Sequence, residues 1–350
     1  MPTKIAILDD YNKLGLSIGD WRSLKDCEVT VFEDHIYDTD ALVDRLRPFD
    51  VICAIRERTA FPRKVFENLP NLKLLNVTAG LHSRVFDFDA AQEHGVICCR
   101  TDPDLPYPDG SKRPGTMMEI TFGLIIACTR QLVHSDRAMR RGGWESPLCN
   151  RLADLTLGLV GLGSIGIRVA KVAKAFSMRT IAWSENLTTE RAAEHGVERV
   201  DRDVLFRTAD VVSMQMRLSD RTEGMITKRD FDLMKPTAYF INTSRGGLVN
   251  ENDLIETLRA KRIAGAGLDV FAVEPLPLDS PLRSLENTVL TAHLGYSTPP
   301  QFQVYYEQMV ENIAAWQAGK PIRKLKDPVP GEKRASGFWI DEGAAIEQQR

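Results

Sequence analysis

One stretch of the sequence, residues 155–185, constrains the fold more than any other. It contains a short apolar run, three glycines in the pattern GxGxxG, apolar residues at helical spacing and a second apolar run. This order predicts a strand, a glycine turn, a helix and a second strand. The three glycines suit a dinucleotide pyrophosphate, because they permit a tight turn, close approach of backbone to phosphate, and close packing of helix on strand. They are Gly161, Gly163 and Gly166.

The residues after the second strand bear on which dinucleotide is bound. Glu185 lies nineteen residues after Gly166, and Ser184 precedes it. In the general fingerprint a carboxylate binds the ribose 2′-hydroxyl of NAD, whereas a small residue beside an arginine admits the 2′-phosphate of NADP. Glu185 favours NAD, while Ser184 together with Arg217 or Arg191 favours NADP. We expect NAD and keep NADP as the alternative.

The composition is that of an ordinary globular protein. Of the 350 residues, 43% are hydrophobic and 27% are charged, and the formal net charge is −3. The length favours two domains, and the charge offers no basic surface for nucleic acid. The longest apolar run, near residues 120–128, is too short to span a membrane. We therefore expect a small-molecule ligand, with no nucleic acid and no membrane as partners.

The six cysteines form no CxxC pair, and most lie within apolar runs. We interpret them as buried free thiols rather than as disulfides or zinc ligands, and we expect no metal site. Free thiols favour a reducing compartment. The amino-terminal residues begin a strand pattern without a charged leader and a long apolar core. The expected location is the cytoplasm.

Strand and helix signals alternate over the first hundred residues and again after the glycine loop, which predicts parallel α/β sheets. The first predicted strand is followed by Asp9 and Asp10 instead of a glycine loop, so we assign this half to the substrate. Residues 102–115 are rich in proline, glycine and charge, and are interpreted as a linker. Residues 116–141 are predicted to form one long helix whose apolar surface marks an interface between domains or subunits.

Two loops in the first half follow predicted strands, where ligands bind in parallel sheets. Arg56 follows the strand at residues 51–55, although a solvated charged turn is an equal alternative. The loop at residues 78–82 has small residues whose backbone N–H groups could bind a carboxylate. The candidate substrate contacts are Arg56, Ala79, Gly80, Leu81 and His82.

Polar side chains also follow three predicted strands of the second half. Arg245, Asp269, Glu274 and His293 could meet at the carboxyl edge of this sheet. A histidine can exchange the hydroxyl proton of a 2-hydroxy acid while nicotinamide exchanges the hydride. A carboxylate beside it stabilises the imidazolium, and a guanidinium binds the substrate carboxylate. Taken singly, each residue has an ordinary structural interpretation, so the prediction depends on the set.

The second half carries four motifs in order: GLGSIG at 161–166, INTSRGGLVNENDLIETL at 241–258, GLDVFAVEPLP at 267–277 and TAHLGYST at 291–298. With these, the chain resembles the D-isomer-specific 2-hydroxyacid dehydrogenases from about residue 5 to residue 323. The resemblance implies that Arg245 binds substrate, that Glu274 partners the histidine and that His293 is the acid/base. The cofactor contacts expected from the fingerprint and the resemblance together are Gly161, Gly163, Ser164, Ile165, Gly166, Ser184, Glu185, Met216, Arg217, Thr222, Thr243, Ser244 and Asp269.

The resemblance also implies the domain arrangement. The expected fold is α/β with two doubly wound parallel-sheet domains, a Rossmann-type nucleotide domain inserted in a flavodoxin-like substrate domain. We assign residues 1–101 and 297–328 to the substrate domain, residues 102–296 to the dinucleotide domain and residues 329–350 to a tail. A homodimer is implied, formed in part by the long helix after the linker.

Three functions are compatible with these residues. The first is a dehydrogenase that transfers hydride between a nicotinamide cofactor and a D-2-hydroxy or 2-keto acid. The second is a nicotinamide-sensing binding protein like the corepressors that share this fold. The third is a dehydrogenase of another substrate, such as phosphite. The dehydrogenase of 2-hydroxy acids is the function we expect.

Overall fold

The computed structural model describes residues 1–78, 85–102, 115–144 and 148–325. Its described residues form two compact units. The first unit contains residues 1–102 together with 297–325, and the second contains residues 115–296. The second unit is therefore inserted in the chain of the first.

The two units each contain one parallel sheet. The strands of the first are β1 Thr3–Ile7, β2 Cys27–Val31, β3 Val51–Ala54, β4 Leu74–Val77 and β5 Ile97–Arg100. Those of the second are β6 Thr156–Val160, β7 Arg179–Trp183, β8 Glu198–Arg199, β9 Val211–Met214, β10 Tyr239–Asn242, β11 Gly265–Leu268 and β12 Thr288–Leu290.

Helices connect these strands. Those of the first unit are α1 Thr39–Leu46, α2 Arg63–Glu67 and α3 Phe88–Glu93. Those of the second unit are α4 Met117–Thr129, α5 Leu132–Arg140, α6 Ser164–Ala175, α7 Thr189–Ala193, α8 Arg202–Thr208, α9 Lys228–Leu233 and α10 Glu251–Arg259. The last helix, α11 Pro299–Gln317, belongs again to the first unit.

The strand orders identify both sheets. In the first unit the order is β2-β1-β3-β4-β5, which is the flavodoxin-like order. In the second unit it is β8-β7-β6-β9-β10-β11-β12, which is the Rossmann order with a seventh strand added at β12. Every pairing within these sheets is parallel. The predicted fold class is confirmed.

The second sheet is buried on both faces. Leu159 and Ile241 contribute to the core on one face, while Val160 and Phe240 contribute to the core on the other. Strands buried on both sides appear in the sequence as continuous apolar runs rather than alternating ones. Because the strands themselves are apolar, the polar residues of these segments occur where the strands end. The candidate site lies at these strand ends.

The prediction of one long helix over residues 116–141 is wrong. The structure has two helices, because Gln131 between them adopts a left-handed conformation with φ of 52°. The Gln131 side chain donates from Nε2 to the Cys128 carbonyl oxygen (3.0 Å) and to the Tyr239 hydroxyl oxygen (2.9 Å). The first bond satisfies the Cys128 carbonyl oxygen at the end of α4. Together the two bonds fix the turn of the chain before α5 begins.

All six cysteines are free; Cys53, Cys98, Cys99 and Cys128 are buried, as predicted, whereas Cys27 is half-buried and Cys149 is exposed. Burial raises the pKa of the Cys128 thiol to about 12 and that of Cys99 to about 11, so both stay protonated and unreactive at neutral pH. Within the described ranges, no helix combines the length and apolar character needed to cross a membrane. The same ranges contain no cluster of histidine, cysteine, aspartate and glutamate that could hold a metal ion.

Candidate active site

The glycine loop joins β6 to α6 at the point where the order of the second sheet reverses. Gly161 has φ of 106°, and a β-carbon there would overlap the Gln215 carbonyl oxygen. A β-carbon at Gly166 would lie 2.6 Å from the Gly161 carbonyl oxygen. Both glycines are thus required by close packing. A β-carbon at Gly163 would meet no atom within 4 Å, so open space lies beside the start of the helix.

This loop fits a dinucleotide pyrophosphate. Gly163 is the N-cap of the twelve-residue helix α6, and Ser164 and Ile165 in its first turn are exposed. The N–H groups and dipole at such a helix start attract phosphate, provided that no side chain fills the approach. Because Gly163 has no side chain, the space beside the start of α6 is open to a ligand. The residues of this loop therefore fit a bound pyrophosphate.

The end of β7 carries the residues predicted to contact the adenosine ribose. Ser184 is half-buried and Glu185 is exposed. Beside them, the Arg202 guanidinium lies 5.3 Å from the centre of the Trp183 ring. Arg202 is also held by the buried carboxylate of Asp230 through two bonds of 2.9 and 3.1 Å. The positive charge of Arg202 is therefore balanced within the protein.

Three predicted cofactor residues have hydroxyl groups that bond within the fold. Thr222 donates to the Arg217 carbonyl oxygen (2.7 Å), Thr243 shares a hydrogen bond with Thr121 (2.7 Å), and Ser244 donates to the Met214 carbonyl oxygen (2.8 Å). These bonds shape the loops after β9 and β10. The cofactor contacts of these residues, of Met216 and of Arg217 stay predictions.

Arg245 lies in the loop after β10, and two neighbours fix this loop. The Asn242 side chain accepts from the Ser244 N–H (3.0 Å) and donates to the Arg245 carbonyl oxygen (3.0 Å). Gly246 lies directly against the peptide that joins Phe271 to Ala272, where a β-carbon would be 2.5 Å from the Ala272 nitrogen. The loop that carries Arg245 is thus packed against the loop after β11.

The loop after β11 carries Glu274, which binds both its own loop and His293. One carboxylate oxygen accepts from the Phe271 N–H (2.9 Å), and the other lies 2.7 Å from His293 Nδ1. The side chains of His293 and Glu274 are 13% and 24% exposed. Because Glu274 occupies Nδ1, Nε2 is the ring nitrogen left to exchange a proton with a ligand. The two side chains that the sequence paired are thus in contact, and their acid/base role stays a prediction.

Asp269 directly follows β11 and is completely buried. Its carboxylate accepts from the Thr291 hydroxyl (2.6 Å), the Leu294 N–H (2.7 Å) and the Gly295 N–H (3.1 Å). All three donors belong to the turn that contains His293. The expected contact of Asp269 with the nicotinamide stays a prediction.

The candidate substrate contacts of the first unit are described only in part. Arg56 follows β3 with φ of 56°, and its backbone N–H donates to the Thr78 hydroxyl oxygen (2.7 Å). Its Nε lies 3.5 Å from a Glu57 carboxylate oxygen. The other four candidates, Ala79, Gly80, Leu81 and His82, lie outside the described residues. Substrate binding by all five stays a prediction.

Sequence reasoning missed two residues that organise the site. Asn242 holds the turn before Arg245, and the Tyr296 ring meets the His293 ring edge to face at 5.5 Å. Asn242 stands in the motif INTSRGG, and Tyr296 stands in the motif TAHLGYST. The signals that could have identified them were a polar residue at the end of a strand and an aromatic residue near the histidine.

Comparison with known proteins gives a consistent result. A family model described as D-isomer specific 2-hydroxyacid dehydrogenase, NAD binding domain, matches residues 122–295. Glyoxylate reductase from Korarchaeum cryptofilum is 32% identical over 329 residues, which cover 91% of this chain and 92% of that protein. Hydroxypyruvate reductase from Thermotoga maritima is 33% identical over 291 residues, covering 82% and 90%.

A solved structure agrees with these relatives. Phosphoglycerate oxidoreductase from Vibrio cholerae has a TM-score of 0.82 and 33% sequence identity. The match covers 91% of this chain and 99% of that one. The similarity therefore extends over both units and not only over the glycine loop.

Proposed function

Because the chain belongs to the family of D-isomer specific 2-hydroxyacid dehydrogenases, we propose that it reduces small 2-keto acids with His293 as the proton donor. The predicted reaction class follows from family membership: the protein is a nicotinamide-dependent oxidoreductase of 2-hydroxy and 2-keto acids. The observation that carries the assignment of roles is the 2.7 Å contact between His293 Nδ1 and the Glu274 carboxylate. It lies in the same unit as the glycine loop.

Each side chain has a distinct part in the reaction. The nicotinamide cofactor, held by the glycine loop before α6, would in its reduced form supply the hydride for C2 of the keto acid. Arg245 binds the substrate carboxylate and polarises the C2 oxygen. His293 donates the proton that this oxygen takes up, and Glu274 stabilises the imidazolium before transfer. The reverse steps oxidise the hydroxy acid, with His293 as the base.

The dinucleotide is held by the second unit in this proposal. Gly163, Ser164 and Ile165 bind the pyrophosphate at the start of α6, because the approach is open and the helix dipole favours the anion. Ser184 and Glu185 at the end of β7 contact the adenosine ribose. The free thiols favour a reducing compartment, so a cytoplasmic location remains part of the proposal.

The substrate proposal starts from the names of the relatives, which include glyoxylate and hydroxypyruvate reductases. We expect turnover of one or both keto acids, and the test is a panel of glyoxylate, hydroxypyruvate, pyruvate and larger 2-keto acids with NADH and NADPH. Cofactor binding without turnover of any keto acid would instead favour the corepressor-like function. Turnover of phosphite alone would favour the third candidate.

We expect Arg245→Lys to lower kcat/KM for the keto acid by about 10–150-fold, since hydrogen bonds to charged groups contribute roughly 1.5–3 kcal/mol. Lysine keeps the charge but cannot bind carboxylate and keto oxygen together through two parallel N–H groups. Steady-state kinetics and a cofactor binding titration measure the two effects. The control is Arg259→Lys on the exposed face of α10. Loss of cofactor binding before loss of turnover would assign Arg245 a structural role.

NAD is the proposed cofactor. Glu185 is exposed at the end of β7, and Arg202, the arginine beside Trp183, is neutralised by Asp230. We expect a higher kcat/KM with NADH than with NADPH, and we expect Glu185→Ala to lower the NADH value by roughly tenfold through loss of a charged hydrogen bond. Kinetics with both cofactors test this. A preference for NADPH that disappears in Arg217→Ala would show that Arg217 determines the choice.

A homodimer is the proposed assembly. Helix α5 has no buried residue, although it carries Leu132 and Met139, and the neighbouring Trp144 is 84% exposed. Uncovered apolar residues in such number mark an interaction surface. We expect light scattering to give the mass of two chains and Met139→Glu to shift it toward one. Val204→Glu, at an exposed apolar position of α8, is the matched control. A single-chain mass for the wild type would exclude the dimer.

A further inference from the structure

Arg202 lies beside the strand end at which the adenosine ribose is proposed to bind. The Val200 N–H donates to the Ala182 carbonyl oxygen (3.0 Å), so the chain between β8 and α8 passes alongside the end of β7. Arg202 then begins α8, with its guanidinium 5.3 Å from the centre of the Trp183 ring. Trp183 directly precedes Ser184. A small residue and an arginine are thus neighbours at one strand end, which is the combination that admits the 2′-phosphate of NADP.

Asp230 and Met225 occupy both bidentate edges of the Arg202 guanidinium. An arginine can bind two oxygens of an anion through Nε with Nη2, or through Nη1 with Nη2. In Arg202, Nε and Nη2 donate to the two carboxylate oxygens of Asp230 (3.1 and 2.9 Å), and Nη2 also donates to the Met225 carbonyl oxygen. Asp230 therefore takes the first edge, and the bond to Met225 uses the Nη2 hydrogen atom that the second edge needs.

The burial of Asp230 keeps this pair together. Its side chain is 1% exposed, whereas that of Arg202 is 28% exposed. If Arg202 turned toward a ligand at the surface, the carboxylate would lose its bidentate partner away from water, and breaking a buried pair in this way is costly. The other guanidinium near Asp230, that of Arg229, lies 3.8 Å away and is itself bound by Asp203. An ion pair at the surface is weakened by water, so Arg202 stays on Asp230.

We propose that Asp230 is a specificity-determining residue, which withholds Arg202 from the ribose end of the cofactor and so disfavours a 2′-phosphate. In the proposed function Glu185 repels that phosphate, whereas Asp230 removes a cation that would attract it. The two carboxylates thus act in the same direction through different groups. This inference rests on the proposed function, because it needs the adenosine to bind at the end of β7.

The test is the affinity of the full-length protein for NADH and for NADPH, which differ only in the 2′-phosphate. Fluorescence titration gives the ratio of the two dissociation constants without turnover. Asparagine in place of Asp230 keeps an oxygen for the Thr227 N–H (3.0 Å in the wild type), but its amide nitrogen cannot accept from the guanidinium. We expect Asp230→Asn to shift the ratio toward NADPH by about tenfold, since hydrogen bonds to charged groups contribute at least this much.

The matched control is Asp203→Asn, which removes the same charge from the same pair of helices. Asp203 in α8 binds the exposed guanidinium of Arg229 in α9, as Arg202 in α8 binds Asp230 in α9. The control should keep the wild-type ratio of affinities. An equal shift toward NADPH in Asp203→Asn would show that the loss of negative charge, and not the release of Arg202, causes the effect.

The double variant Arg202→Gln with Asp230→Asn shows whether Arg202 is responsible. We expect the wild-type ratio, because the cation is lost together with the group that withholds it. Its two amide side chains can bond to each other, so it also carries the test if Asp230→Asn alone does not fold. A lower affinity for NADPH than in the wild type would mean that Arg202 already binds the 2′-phosphate, and the proposal would be wrong. A gain for NADPH that persists in the double variant would assign the effect to another cation.

Failure of this inference can be distinguished from failure of the proposed function. If the wild type binds neither NADH nor NADPH, the proposed function fails and the role of Asp230 fails with it. If the wild type binds NADH but Asp230→Asn has the same ratio of affinities, or gains affinity for both cofactors alike, only the role of Asp230 is overturned.

Discussion

Replacing His293 with glutamine is expected to lower kcat for keto-acid reduction by about 10²–10⁴-fold, the usual contribution of a positioned general acid. Glutamine can still form a hydrogen bond with Glu274, but it has no proton to exchange at neutral pH. Cofactor affinity should stay near wild type, because the pyrophosphate is proposed to bind at Gly163 and α6. Stopped-flow reduction and a binding titration measure the two quantities separately.

The control for this experiment is His94→Gln. His94 is an exposed histidine at the end of α3 in the first unit, and its replacement should leave turnover unchanged. A His293→Gln enzyme with the turnover of the control would remove the acid/base assignment. If the variant instead loses affinity for NADH to the same extent as it loses turnover, His293 would be a cofactor contact.

Much of the second unit could be predicted because its signals are local. The strands are apolar runs buried on both faces, and Gly161, Gly163 and Gly166 follow the first of them at a fixed spacing. The polar residues Arg245 and Glu274 follow later strands. Parallel strands bring their carboxyl ends to one edge, so sequence order alone indicated that these side chains could meet.

Features that depend on contacts distant in sequence could not be predicted. The break at Gln131 depends on the Tyr239 hydroxyl, which lies 108 residues away along the chain. The turn of His293 depends on Thr116, at a separation of 179 residues from Gly295. Helical periodicity contains no information on either partner. The sequence therefore offers candidates for the residues that carry the chemistry, but it does not indicate which residues hold them in place.

Gly246 shows how packing between loops supports the site, and it gives the largest expected effect on stability. A β-carbon at this position would overlap the Phe271 carbonyl group, which is backbone and cannot rotate away. We expect Gly246→Ala to lower the free energy of unfolding by about 3 kcal/mol, the upper end for overpacking. For a unit of this size the loss corresponds to a Tm lower by roughly 6–12 °C. Calorimetry of the purified variant measures both.

Activity should fall in the same variant, because Gly246 adjoins Arg245 while the Phe271 N–H binds the Glu274 carboxylate. Separating the two loops would move the Arg245 guanidinium, proposed to bind substrate, relative to the proposed acid/base pair. The matched control is Gly123→Ala in α4, where a β-carbon meets no atom within 4 Å and alanine favours the helix by up to about 1 kcal/mol. If both variants unfold at the wild-type temperature with full activity, close packing of these loops does not determine the geometry of the site.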